Sequence, residues 1–117
     1  MMGTRVGDKY EWMSAKEVAY TAKQFGAGCV QLGLLPEMLD EGKTWRFIGI
    51  KARNRKEWGL IHTANYHTGT TTVALYDTLG LDATKYIINL TEMATIATTS
   101  DMIKGILDMR EDDDKLP

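Results

Sequence analysis

Apolar residues recur along the chain with two periods, and the alternation between those periods sets the predicted order of elements. Residues 3–6 and 9–12 read as two short strands joined through Gly7-Asp8, a hairpin signal. Ser14 followed by Glu17 is a capping box. Behind it Val18, Ala22, Phe25 and Cys29 recur at helical spacing, joined by Ala19, Gly26 and Val30. The spacing predicts a helix over about residues 15–32, stopped by Gly33 and Pro36. Trp45 to Ala52 is rich in strand formers. Asn54 with Glu57 predicts a cap for a second helix to about Tyr66, with Trp58, Ile61, His62 and Asn65 on one face. Thr70 to Tyr76 reads as a strand, and Leu79-Gly80 as a turn. Asp82 is the expected cap of a helix with Tyr86, Ile87 and Leu90 inward. Ala94 to Thr98 reads as a third strand. Ser100 is the expected cap of a last helix with Met102, Ile103, Ile106 and Leu107 as its stripe.

Strands alternating with helices of 10–15 residues predict parallel pairing through right-handed crossovers. The expectation is an α/β fold: a short, mostly parallel sheet flanked by helices, joined by the N-terminal β-hairpin into one small sheet. Its outer edges stay open unless further chain covers them. The last residues, 111–117, lose periodicity and read as an acidic disordered tail, which leaves 3–110 as the structured segment.

Composition narrows the classes. The 117 residues allow one compact domain, with 44% hydrophobic and 26% charged residues in the ordinary globular range. A net charge of −2 supplies no overall basic field for nucleic acid or an anionic membrane. One cysteine, Cys29, excludes an internal disulfide framework. No apolar run reaches the roughly 20 residues of a membrane span. The opening Met1 to Arg5 has no apolar stretch of the signal-peptide kind. These features read as a soluble, intracellular module or a piece of something larger.

Candidate chemistry is thin. Thr68-Gly69-Thr70-Thr71-Thr72 has one glycine and no nearby lysine, so a turn running into a strand is preferred to a phosphate loop. Asp77 stands at the carboxyl end of a strand, where ligands of open α/β sheets bind. A phosphoacceptor or magnesium role there needs an acidic pair and a lysine on neighbouring strands, and the sequence supplies neither. Asp77 is therefore expected as a turn residue. Lys51, Arg53, Arg55 and Lys56 cluster where a strand becomes a helix, a place for an anion or for solvated charge. His62 and His67, five apart, lie about 140° apart around a helix and make poor co-ligands. Cys29 falls on an apolar face and reads as a buried, inert thiol. The 102–107 stripe reads as core before partner-binding face. No self-contained active site emerges.

The run Leu75-Tyr76-Asp77-Thr78-Leu79-Gly80 resembles a segment of eukaryotic long-chain acyl-CoA synthetases, the AMP-forming fatty-acid–CoA ligases. Other runs agree in order: Gly3-Thr4-Arg5 with Tyr10-Glu11-Trp12-Met13-Ser14, Phe25-Gly26-Ala27-Gly28 with Gly33-Leu34, Phe47-Ile48-Gly49-Ile50, Asn54-Arg55 with Glu57-Trp58, and Tyr86-Ile87-Ile88-Asn89 with Glu92. Departures are Ala74, where proline or serine is common, and Leu90, where histidine is common. The resemblance implies part of the N-terminal domain of an enzyme that activates a fatty acid with ATP and magnesium through an acyl-adenylate. The acyl group then passes to coenzyme A. It also implies that the ATP loop, the adenine and ribose segments and the C-terminal domain lie outside these residues. Fatty acid, ATP and coenzyme A would be met through those regions, and the remainder of the enzyme would be the partner. Members of the family are commonly found at endoplasmic reticulum or peroxisomal membranes, and the matched residues include no anchor. No residue here inherits a catalytic, cofactor-binding or metal-binding role. The expectation is a scaffold that is inactive alone; the alternative is a truncated, non-catalytic interaction module.

Overall fold

The computed structural model describes residues 1–76 and 78–111. Asp77, on which the phosphoacceptor reading falls, and 112–117, all of the 111–117 tail reading but Glu111, lie outside them. Strands β1 (Met2–Val6) and β2 (Lys9–Met13) form the expected hairpin, with Val6 opposite Lys9 across Gly7-Asp8. Gly7 has φ +60°, which a two-residue hairpin loop demands and glycine supplies without strain. Helix α1 (Ala15–Gln31) opens on a complete capping box: the Ser14 hydroxyl accepts from the Glu17 amide, and the Glu17 carboxylate accepts from the Ser14 amide. That bond holds the Glu17 carboxyl below its ordinary range.

A second hairpin follows that the sequence reading does not contain: β3 (Met38–Asp40) and β4 (Lys43–Trp45). Its loop, Glu41-Gly42, has φ +48° and +75°, the signature of a primed turn. Two three-residue strands of mixed polarity are too short to show a period. The single predicted strand from Trp45 to Ala52 is divided at Arg46. That guanidinium donates to the Thr68 carbonyl at 3.3 Å and pairs with Glu37, which turns the chain from hairpin into sheet.

Strand β5 (Phe47–Lys51) is the centre of a three-stranded parallel sheet, flanked by β6 (Thr71–Ala74) and β7 (Ile96–Thr98) in the order β6-β5-β7. Helix α2 (Lys56–Thr68) links β5 to β6, and α3 (Leu81–Thr91) carries the chain back past β5 to β7. Helix α4 (Ser100–Glu111) follows. The hairpin β1-β2 forms a sheet of its own and does not extend the parallel one, a correction to the single small sheet expected.

The pleat of β5 sends alternate side chains to opposite faces. Ile48, Ile50 and Ala52 meet Cys29 of α1, Leu35 just after that helix, and Ile61 of α2. On the other face Phe47 joins Leu75, Ile88, Met93 and Met109. Gly49 lies on this second face: a Cβ there would stand 2.7 Å from Met93 Sδ, 3.1 Å from Ile96 Cγ1 and 3.2 Å from Leu75 Cδ1. Helices α1 and α2 close the first layer where Gly26 faces Ala64 and Thr68.

Three helix faces differ from expectation. Asn54 does not cap α2: Arg55 occupies the cap position with extended backbone and no side-chain cap bond. Helix α3 begins after Gly80, so Asp82 sits in its first turn, where a carboxylate favours the helix dipole. Its inward face is Thr84, Ile87, Ile88 and Thr91, while Tyr86 and Leu90 are 67% and 65% exposed. The two threonines can be turned inward because their hydroxyls donate to carbonyls one turn back, Thr84 to Gly80 at 3.0 Å and Thr91 to Ile87 at 2.8 Å. In α4, Ser100 is already helical, and Met109 is the buried anchor. Met102 and Ile106 are half-buried, and Ile103 and Leu107 face out.

Replacing Gly49 by alanine is expected to lower stability by about 1–3 kcal/mol, the usual cost of overpacking a filled core. Gly28→Ala, in α1 with no atom within 4 Å of the added carbon, is expected to raise it by about 0.5–1 kcal/mol. Denaturant unfolding of the two variants checks both signs; equal stability would show that the Gly49 contact is not tight.

Candidate functional site

In an open parallel sheet the carboxyl ends of the strands are where ligands bind. Here those ends are Lys51-Ala52, Ala74 and Thr98. Side chains tie the rim together. The Trp58 indole donates to the Ala52 carbonyl at 3.1 Å, which pins the β5–α2 connection to its helix. The Thr98 hydroxyl donates to the Lys51 carbonyl at 2.8 Å and fastens β7 to β5. On the other side the buried Asn65 amide donates to the Thr72 hydroxyl at 2.6 Å, joining α2 to β6. Two hollows open on this rim. One of about 250 Å³ is lined by Ile50, Trp58, Ile61 and Ala97 with Arg55 and Glu57 at its mouth. The other, about 520 Å³, lies among Ala52, Arg53, Asn54, Trp58, Ala74 and Tyr76. The sequence reading gave Trp58 as a face residue and as part of the run Asn54-Arg55 with Glu57-Trp58; a tryptophan in the first turn of a helix after a strand is the signal that marked it.

The basic cluster does not converge. Lys51 is 8% exposed within the central strand. Arg55 donates to the Glu57 carboxylate at 2.6 Å. That bond pulls the Glu57 carboxyl below its ordinary range and raises the Arg55 guanidinium. Asp101, in the first turn of α4, is held low chiefly by a hydrogen bond with the Thr99 side chain, then by a backbone bond and by the charges of Arg53 and Arg55. Arg53 and Arg55 thus face carboxylates of the same rim.

The threonine-rich segment is a helix end running into a strand. Gly69 closes α2 in the left-handed conformation. The amides of Gly69, Thr70 and Thr71 donate to the carbonyls of Asn65, Asn65 and Arg46, so none is left to cradle a phosphate. These residues do not fit a nucleotide's phosphates, and no step of a reaction is routed through them. His62 is exposed, its Nδ1 3.3 Å from the Thr72 hydroxyl and its Nε2 3.4 Å from that of Tyr66; His67 is exposed elsewhere. Cys29 is buried, and desolvation pushes its thiol up, away from the reactive thiolate. Among the described residues no three His, Cys, Asp or Glu side chains gather as metal ligands. No described helix is long and apolar enough to cross a membrane. The rim is built from bonds that fix strands and helices to one another.

Both rim carboxyls have lowered folded values, so their contribution is complete above the ordinary values of 4.5 for Glu57 and 3.8 for Asp101. It is lost as pH falls through the lower folded values. Thermal unfolding of Glu57→Gln/Asp101→Asn is expected to show a shallower loss of midpoint than the parent between about pH 5 and 3. Parallel curves would show that the two pairs do not stabilise the fold.

No family model matches the chain. Individual relatives do. It is 38% identical over 96 residues to long-chain-fatty-acid–CoA ligase 1 of Cavia porcellus, covering 81% of this chain and 13% of that protein. It is 35% identical over 100 residues to fatty acyl-CoA synthetase A of Dictyostelium discoideum, covering 86% and 14%. Likeness to the peroxisomal acyl-CoA ligase 891 of Penicillium brevicompactum is 32% over 107 residues, 92% and 15%. The chain thus spans about one seventh of the length of these relatives. With the mixed α/β fold and the ordered motifs behind it, the chain belongs to the long-chain fatty-acid–CoA ligases as a segment of that family.

Proposed function

We propose that this chain is framework from the N-terminal part of an AMP-forming long-chain fatty-acid–CoA ligase. It would form a parallel-sheet unit against which the parts that bind fatty acid, ATP with magnesium, and coenzyme A are positioned. The observation that carries this reading is the agreement of an alignment and a geometry. Identity of 38% runs across 96 residues, while the rim's hydrogen bonds serve to join its elements. In the whole enzyme the carboxylate of the fatty acid would attack the α-phosphate of ATP, and the coenzyme A thiolate would displace AMP. This segment supplies no group to either displacement. What it supplies is rigidity: a sheet whose centre is filled on both faces keeps the strand ends in fixed relation, and catalysis depends on such positioning.

The purified 117-residue chain is expected to give no fatty-acid-dependent exchange between pyrophosphate and ATP above a protein-free control. Exchange that rises with chain concentration and with added fatty acid would overturn the framework reading.

A further inference from the structure

We infer that two copies of this chain pair through the free edge of β6, antiparallel across a two-fold axis at Val73, so that their two sheets become one. The inference goes beyond the framework reading and stands without it. The strand and the helices on its two faces point to the same occupant.

Strand β6 is the outer strand on one side of the sheet, with no further strand beyond it among the described residues. The Thr71 amide donates to the Arg46 carbonyl at 2.7 Å and the Leu75 amide to the Ile50 carbonyl at 2.9 Å, both on the side of β5. By the alternation of a strand, Thr72 and Ala74 turn their amides and carbonyls outward. Exposed edges are ordinarily guarded by charge or proline. The run from Thr70 to Leu75 contains neither. One antiparallel register uses both outward residues in both copies. Val73 then faces its own counterpart, and Thr72 and Ala74 exchange bonds with the counterparts of Ala74 and Thr72.

On the face of Val73 and Leu75 lies α3, which carries the chain from β6 past β5 to β7. Successive helical residues turn by about 100°. In a right-handed crossover, the flank of α3 toward the outside of β6 therefore holds Ala83, Ile87 and Leu90, and the other flank holds Lys85. Ala83 and Leu90 are exposed and Ile87 is half-buried. This apolar stripe runs beside the free edge and is left uncovered by its own chain. The two-fold axis sets it antiparallel against the same stripe of the second α3, above the paired Val73 side chains.

On the opposite face the Thr72 hydroxyl meets the Asn65 amide and His62, and His62 meets Tyr66. These polar groups are bonded to one another within the chain, so they call for small neighbours and for no charge. The edge thus fits a strand that is apolar toward α3 and small toward α2. Strand β6 has that alternation itself: Val73 and Leu75 on the first face, Thr72 and Ala74 on the second. The edge of β7 lacks this match to itself, with Arg110 beside one face and Arg55 and Glu57 beside the other.

Sedimentation equilibrium of the 117-residue chain is expected to show a passage from one copy to two across the micromolar range, as a modest interface gives. Over the same range hydrogen exchange at the Thr72 and Ala74 amides is expected to slow at least about tenfold, while Val73, whose amide faces β5, changes little. Ala74→Pro removes an outward donor, and Leu90→Glu sets like charges across the axis. Each is expected to weaken the pair about tenfold or more. Leu90 is exposed in the single chain, so Leu90→Glu decides the matter if Ala74→Pro does not fold. A chain that stays single at millimolar concentration overturns the inference. So does association that leaves Thr72 and Ala74 exchange unchanged, or that a folded Leu90→Glu does not weaken. None of these outcomes bears on the family assignment, which rests on the alignment.

Discussion

Strand β5 is buried on both faces, and that double burial is the constraint around which the other elements are arranged. Ile48 and Ile50 are each worth about 1.5–3 kcal/mol removed from water, but only if a layer exists to receive them. That layer is α1 against α2, drawn close at Gly26 and Ala64. The opposite layer is α3 and α4, and it reaches the strand because position 49 carries no side chain. Met93, Ile96 and Leu75 fill the space instead. A sheet of only three strands has little interior, so one vacant Cβ at its centre decides how near the second layer comes.

Polar groups then fix what the apolar contacts leave loose. Dispersion and hydrophobic burial are nearly indifferent to small sliding motions; hydrogen bonds to backbone carbonyls are not. Trp58 to Ala52, Thr98 to Lys51 and Arg46 to Thr68 each join a side chain of one element to the main chain of another. All three accepting carbonyls lie at element ends, where strand and helix ladders stop providing partners. The first two hold the carboxyl-end rim, and the third fastens the opposite, amino-terminal end of β5 to the end of α2. The framework role proposed above would ask for that property, and among the described residues the rim carries polar groups but no convergent acid, base or nucleophile.

Much of this was legible along the chain. Hairpin β1-β2, the Ser14–Glu17 capping box, and the alternation of strand and helix after residue 45 are written in local pattern, because each depends on residues within one turn or one pleat of each other. The turn-and-strand character of Thr68–Thr72 was readable from its missing glycines, and the inert Cys29 from its apolar face. The misreadings share a cause. On α3 an apolar count favours Tyr86 and Leu90, yet the face that packs contains Thr84 and Thr91, whose hydroxyls are satisfied by their own helix. The β3-β4 hairpin has strands too short for any period, and its Glu41 adopts a conformation few glutamates do.

By itself the sequence determined the class of fold, the order of its main elements and, through six short motifs in order, the ligase family. Those are properties of local spacing and of residue identity, which no distant contact alters. The tertiary structure decided which helix faces point inward, that Gly49 is a packing position, that Arg53 and Arg55 of the rim meet carboxylates, and that the N-terminal hairpin stands apart from the parallel sheet. Each of these depends on residues far apart in the chain arriving at one place. Close packing admits only combinations that fill space and satisfy every buried polar group, so no local pattern could have carried them.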